Sequence, residues 1–294
     1  MHLIVYIIAY PFLLLVSILP FRLLYMVSDL VYVLIFYVIG YRRKTVKSNL
    51  NLVFPEKSEQ EIKAITKKFY RHMCDMFLEM IKSMSASKKS LLKRFAMINP
   101  EEFTRLEGLQ KNVIVMYGHY ASYEWSMVTE NYFNFKGFGV YKKIKNKYFD
   151  ALVRRIRSKY NTTLISTRDT YPKMVELTKQ DVPFMIGFLS DQSPKLNDKN
   201  HWAEFMNIKV PTFVGAEVIA KKLDMAVSYL KIKKVKRGYY EAELVTLAEN
   251  PKNFENFEVT DLFLRQLEDQ IKDAPEYYLW THKRWKHYDK APKA

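Results

Sequence analysis

Past residue 110 short apolar runs alternate with stretches of helical spacing, and no other feature limits the possible folds of this chain so tightly. "NVIVMY" (112–117), "GFGVY" (137–141), "TTLIS" (162–166), "VPFMIGFLS" (182–190) and "MAVSYLKI" (225–232) read as strands. Between them, "YFDALVRRIRSKY" and "TYPKMVELTKQD" carry apolar residues at the helical period. A strand that is apolar at successive positions needs cover on both faces, and intervening helices supply it. The expected fold class is therefore α/β, with a mainly parallel sheet flanked by helices. "YYEAELVTL" (239–247), after a turn at Arg237-Gly238, is expected to add an antiparallel edge strand.

Residues 45–110 read mainly as helix. Ile62, Ile65, Phe69, Met73, Met76 and Met80 keep close to the 3.6-residue period, and Ser58 with Glu61 three positions on forms a helix-start signal. The methionine stripe reads as core. Cys74 is the only cysteine, which excludes an internal disulfide and fits a reducing compartment.

The first 40 residues differ in kind. Residues 3–21 hold no charged side chain, and 3–19 make 17 apolar or weakly polar positions, the lower edge of a bilayer span. Neither a basic leader nor a small-residue cleavage site accompanies them, so a retained anchor is expected. Residues 21–40 contain Arg22 and Asp29 and read better as an interfacial or core-packed helix than as a second pass. Arg42, Arg43 and Lys44 follow, which puts everything after them on the cytoplasmic side. The expected division is an anchor and interfacial helix over 1–40 and a cytoplasmic-face domain over 41–294.

A net charge of +16 calls for an anionic partner. Two clusters concentrate it: residues 141–160, with eight Lys or Arg against one Asp, and "KIKKVKR" at 231–237. No nucleic-acid recognition motif accompanies them, so no nucleic acid is expected as a partner. Beside an anchor, the clusters suit anionic headgroups, phosphorylated acceptor lipids or an acidic carrier protein. No metal-ligand spacing, phosphate-binding loop or dinucleotide fingerprint is present, and no metal or cofactor is expected.

Chemistry concentrates after the first central strand, in "MYGHYASYEW" (116–125). Groups at the carboxyl ends of parallel strands line the sites of α/β sheets, which favours His119. Glu124, five residues on, is within reach if the turn folds back, and a carboxylate on one ring nitrogen would make the other a base. Ser122 lacks a nucleophile elbow and is not expected to act.

"GHYASYEW" resembles the His-x4-Asp/Glu motif of the lysophospholipid acyltransferase superfamily, in its lipid A biosynthesis (late) acyltransferase branch. "RRKTVKSNLNLVFPEKS", "FLSDQSP", "VPTFVGAEVIAKKL" and "PEYYLWTHKRWK" resemble further blocks of that branch, in the same order and across essentially the whole chain. Ser193-Pro194 and "FMNIKVP" depart from its usual pattern, which bears on the acceptor more than on the reaction. The resemblance implies a glycerolipid acyltransferase-like fold and a membrane-bound enzyme of the bacterial inner membrane facing the cytoplasm. It implies direct transfer of a fatty acyl chain from acyl carrier protein or coenzyme A, as donor substrate, to a hydroxyl of a lipid acceptor, most readily a lipid A precursor. His119 and Glu124 would be catalytic. Arg157, Arg154, Asp191 and Gln192 would bind substrate, with Arg157 at the anion or oxyanion. His282, Trp280 and Arg284 would brace the fold. Acylation of another lipid, or binding without catalysis, are the competing readings.

Overall fold

The computed structural model describes residues 2–198 and 200–292. Its centre is a seven-stranded sheet built from β1 (Phe95–Met97), β2 (Val113–Tyr117), β3 (Lys136–Tyr141), β4 (Thr163–Ser166), β5 (Phe184–Leu189), β8 (Ala226–Lys236) and β9 (Tyr239–Ala248). The order is β1-β9-β8-β2-β5-β3-β4, and every pair is parallel except β8 with β9. Val113, Ile114 and Met116 on β2 and Phe184 and Ile186 on β5 are fully buried. Such strands need the helical cover that their unbroken apolar runs predict.

The covering helices are α6 (Glu101–Gly108), α7 (Lys147–Arg157), α8 (Thr170–Lys179), α9 (Gly215–Leu223) and α10 (Glu258–Asp273), which follow α3 (Arg43–Val53), α4 (Glu59–Lys82) and the short α5 (Lys88–Leu92). α4 starts as its sequence predicts: the Ser58 hydroxyl accepts from the Glu61 amide while the Glu61 carboxylate accepts from the Ser58 amide. Its stripe, with Ile62, Phe69, Met73 and Met76, is core.

Two expectations change. The strand at 239–248 is not an edge, because the three-residue β1 pairs along its outer side; β1 is too short to show as a periodic pattern within a stretch that otherwise reads as helix. A separate hairpin of β6 (His201–Phe205) and β7 (Ile208–Thr212) adds a two-stranded antiparallel sheet that the sequence did not announce.

The N-terminal part is a helical pair, α1 (His2–Ile18) and α2 (Phe21–Val33), with α2 continuing through a wider-turned segment, Leu34–Ile39. Among the described residues Phe21–Ile39 is the one helix long and apolar enough to cross a membrane, and α1, at 17 residues, is shorter. By length and composition the candidate span is therefore the second segment, which the sequence led one to expect at the interface or packed on the core. Asp29 weighed against a span when it was taken as an isolated charge. In the structure it is bound by Arg237 from the β8–β9 turn at 2.7 Å, and Arg237 also holds the buried Asp75 of α4 at 2.7 Å. The outer face of α1 and α2, with Ile4, Ile8, Phe12, Met26 and Leu30, is exposed and apolar.

Candidate active site

Sheet register brings the central residues together. Tyr117 of β2 pairs with Leu189 of β5, so two residues beyond that pair His119 and Asp191 leave the sheet side by side. The His119 ring and Asp191 meet Nδ1 to Oδ1 at 2.7 Å, and the His119 amide donates to Oδ2 at 3.1 Å. Asp191 is 1% exposed and the imidazole 15%. Burial opposes the charge on Asp191, but the His119 ring and amide outweigh it and hold the carboxyl below the usual carboxylate range. An ionised Asp191 fixes the proton on Nδ1. The other ring nitrogen, Nε2, lies 3.1 Å from the Gln192 amide nitrogen, a donor to a lone pair.

Glu124 is placed elsewhere. Its carboxylate takes Arg157 in a two-pronged contact, Nε to Oε2 at 2.9 Å and Nη2 to Oε1 at 2.5 Å. Glu124 therefore does not orient the imidazole, as its spacing suggested. The intervening backbone explains why: Ala121 is left-handed, at φ 49°, and Tyr123–Tyr132 form a 3-10 helix instead of an α-helix. That turn carries Glu124 toward the end of α7, where Arg157 sits. Arg154, one turn earlier on α7, is exposed, with its guanidinium over the Tyr141 ring.

Several residues that the sequence did not single out shape the site. Tyr123 packs its ring edge-on against the imidazole, centroids 4.9 Å apart. Gly118 lies so close to α10 that a Cβ there would meet Leu267 at 2.7 Å, and the strand-to-His turn needs its absence. Residues 277–279 form a strap: the Leu279 amide donates to the His119 carbonyl at 3.1 Å and the Ala121 amide to the Tyr277 carbonyl at 3.0 Å. Burial raises the buried Tyr278 hydroxyl well above its ordinary value, and the nearby Asp191 charge adds to this. The strap is held from the N-terminal side, where Asn49 donates to the carbonyls of Trp280 and His282 and Arg42 to that of Thr281. Arg284 is fully buried and donates to the Pro211 carbonyl at 3.0 Å. Burial pushes His282 down to about 4, so it is neutral at pH 7. Among the described residues no group of three His, Cys, Asp or Glu is placed to hold a metal ion.

A cleft of about 100 Å³, open to solvent, runs between the 3-10 helix and one face of the sheet. Tyr123, Glu124 and Arg157 line the end beside His119, and Val115, Met127, Phe133 and Met185 are among its walls. Glu130 lines it farther along the 3-10 helix. Burial raises the Glu130 carboxyl to about 7, against a smaller opposing effect of the Thr162 hydroxyl. A carboxyl raised on folding makes the native state lose stability as pH rises from the ordinary carboxylate value, near 4.5, through about 7. Glu130→Gln removes that ionisation. In thermal unfolding the variant is expected to match the parent at pH 4 and to exceed it at pH 8 by up to about 3 kcal/mol. Equal pH slopes for the two proteins would contradict this.

No curated protein matches the chain. A family model described as "Bacterial lipid A biosynthesis acyltransferase" matches residues 2–287, nearly the full length. That match covers the site and every element that positions it, and it makes the protein an enzyme of acyl transfer to lipid instead of a binding module. The chain belongs to the bacterial lipid A biosynthesis acyltransferases.

Proposed function

We propose that the protein moves a fatty acyl chain from a thioester, on acyl carrier protein in preference to coenzyme A, to a hydroxyl of a lipid A precursor at the cytoplasmic face of the bacterial inner membrane. The observation that carries the mechanism is the imidazole held through Nδ1 by a buried carboxylate, a pairing that favours Nε2 as the base, with its ring against Tyr123 of the cleft wall. In this mechanism Gln192 gives up Nε2 to the acceptor hydroxyl. His119 takes the hydroxyl proton as the oxygen attacks the thioester carbon, the carbon–sulfur bond breaks, and the imidazolium returns the proton to the departing thiolate. Asp191 steadies the imidazolium that forms between these steps. Glu124 acts through Arg157: with Nε and Nη2 engaged, Nη1 is the donor assigned to the developing oxyanion or to a phosphate nearby.

Charge and surface support the setting. The basic clusters suit an acidic carrier and a phosphorylated acceptor, and the exposed apolar faces of α1 and α2 suit burial in a bilayer interface. The purified protein, supplied with an acyl thioester and a lipid A precursor, is expected to transfer one chain, and His119→Ala to lower turnover about 10³-fold or more while keeping its fold. Mass spectrometry of lipids from cells lacking the protein is expected to find lipid A one acyl chain short. Unchanged lipid A beside an altered minor lipid would transfer the reading to a different acceptor, such as a lysophospholipid or aminoacyl lipid.

A further inference from the structure

The acyl cleft has an unusual far end. β2, β3 and β5 are parallel, so Tyr117, Tyr141 and Leu189 mark the edge of the sheet at the His119 side, and Lys136, Gly137 and Phe184 mark the opposite edge. Gly137 and Tyr141 are four residues apart on β3, or about 13 Å along the cleft. At the Gly137 end the Glu130 carboxyl fills the space that a side chain on residue 137 would need: a Cβ there would lie 2.3–2.6 Å from its carboxyl atoms. The glycine at 137 leaves that space to the flexible Glu130 side chain, at one end of a cleft with largely apolar walls. Phe103, Met127 and Phe133 also line the cleft, and Glu130 itself is half-buried.

A wholly hydrocarbon tail reaching this end strips water from the carboxyl and returns no hydrogen bond, which costs on the order of 1–3 kcal/mol. An alcohol returns one whatever the state of the carboxyl, since a carboxylate accepts and a carboxylic acid also donates. We propose that Glu130 selects an acyl chain carrying a hydroxyl near its far end, with the half-buried carboxyl at the Gly137 end of the cleft as that hydroxyl's partner. The inference rests on the acyltransferase reading and adds to it the chemical class of the donor chain.

The test is a length series of ω-hydroxyacyl thioesters set against plain acyl thioesters of equal length, on the full-length protein with a lipid A precursor as acceptor. At the length that spans the cleft, the hydroxylated donor is expected to have a kcat/KM about tenfold higher than its plain counterpart. Glu130→Leu is expected to abolish or invert that preference, and Glu130→Gln, which keeps a donor and an acceptor, to retain most of it. A role confined to the fold would change both donors by the same factor. Should Glu130→Leu fail to fold, the wild-type series and Glu130→Gln decide. A plain chain favoured at every length overturns the inference and leaves the acyltransferase reading standing. No transfer from any donor overturns both.

Discussion

Replacing Asp191 with Asn is expected to lower kcat about 10³-fold while leaving the fold intact, because size is nearly unchanged and the charge is not. The carboxylate now receives the Nδ1 proton and the His119 amide together. An amide can present its NH₂ to Nδ1 instead, which stabilises the tautomer with the proton on Nε2, where a base must have none. The imidazolium formed during transfer would also lose its counter-charge. Because the folded value of Asp191 lies below the usual carboxylate range, its stabilising charge is present at all pH above that range and is lost only as pH falls through the lowered value. The expected variant therefore shows a fall in kcat that raising the pH to 9 does not rescue, with a circular dichroism spectrum like that of the parent. Retention of more than about a tenth of the activity would remove Asp191 from the mechanism.

Arg157→Ala has two effects that can be separated. It leaves the Glu124 carboxylate, 7% exposed, without its guanidinium, and an orphaned buried charge costs about 3–5 kcal/mol. It also removes the donor assigned to the oxyanion. Burial pulls the Arg157 guanidinium down, but Glu124 more than offsets this and raises it. The double variant Glu124→Gln/Arg157→Gln removes both charges and is expected to regain most of the lost stability in denaturant titrations. Its turnover is expected to stay at least 10²-fold below the parent. A double variant that is both stable and fully active would reduce the pair to a structural tie.

His119, Asp191 and Gln192 were readable because strand ends in an α/β sheet are where such groups gather, and the apolar runs that mark the strands are plain. Their pairing was not readable. Glu124 stands five positions from His119 and Asp191 stands 72, and only the register between β2 and β5 makes the distant residue the neighbour. Asp29 shows the same blindness: as a lone charge it argued against a span, and its partner Arg237 lies 208 positions away. Local pattern located the functional groups, whereas the choice among carboxylates was made by non-local geometry. Glu130 gave no signal at all in the sequence, since an acidic residue in a helical stretch reads as solvated until the sheet beneath it is known.

The strap over the His119 turn sets a timing. Tyr277 and Leu279 fix the backbone of the His119 turn, and Arg42 and Asn49 lock the segment just beyond them. A domain made vectorially can assemble its sheet while the strap is still inside the ribosome. During that interval the imidazole has no settled position, although both of its strands are present. Chemical competence therefore waits on the strap, which is synthesised after every strand of the sheet.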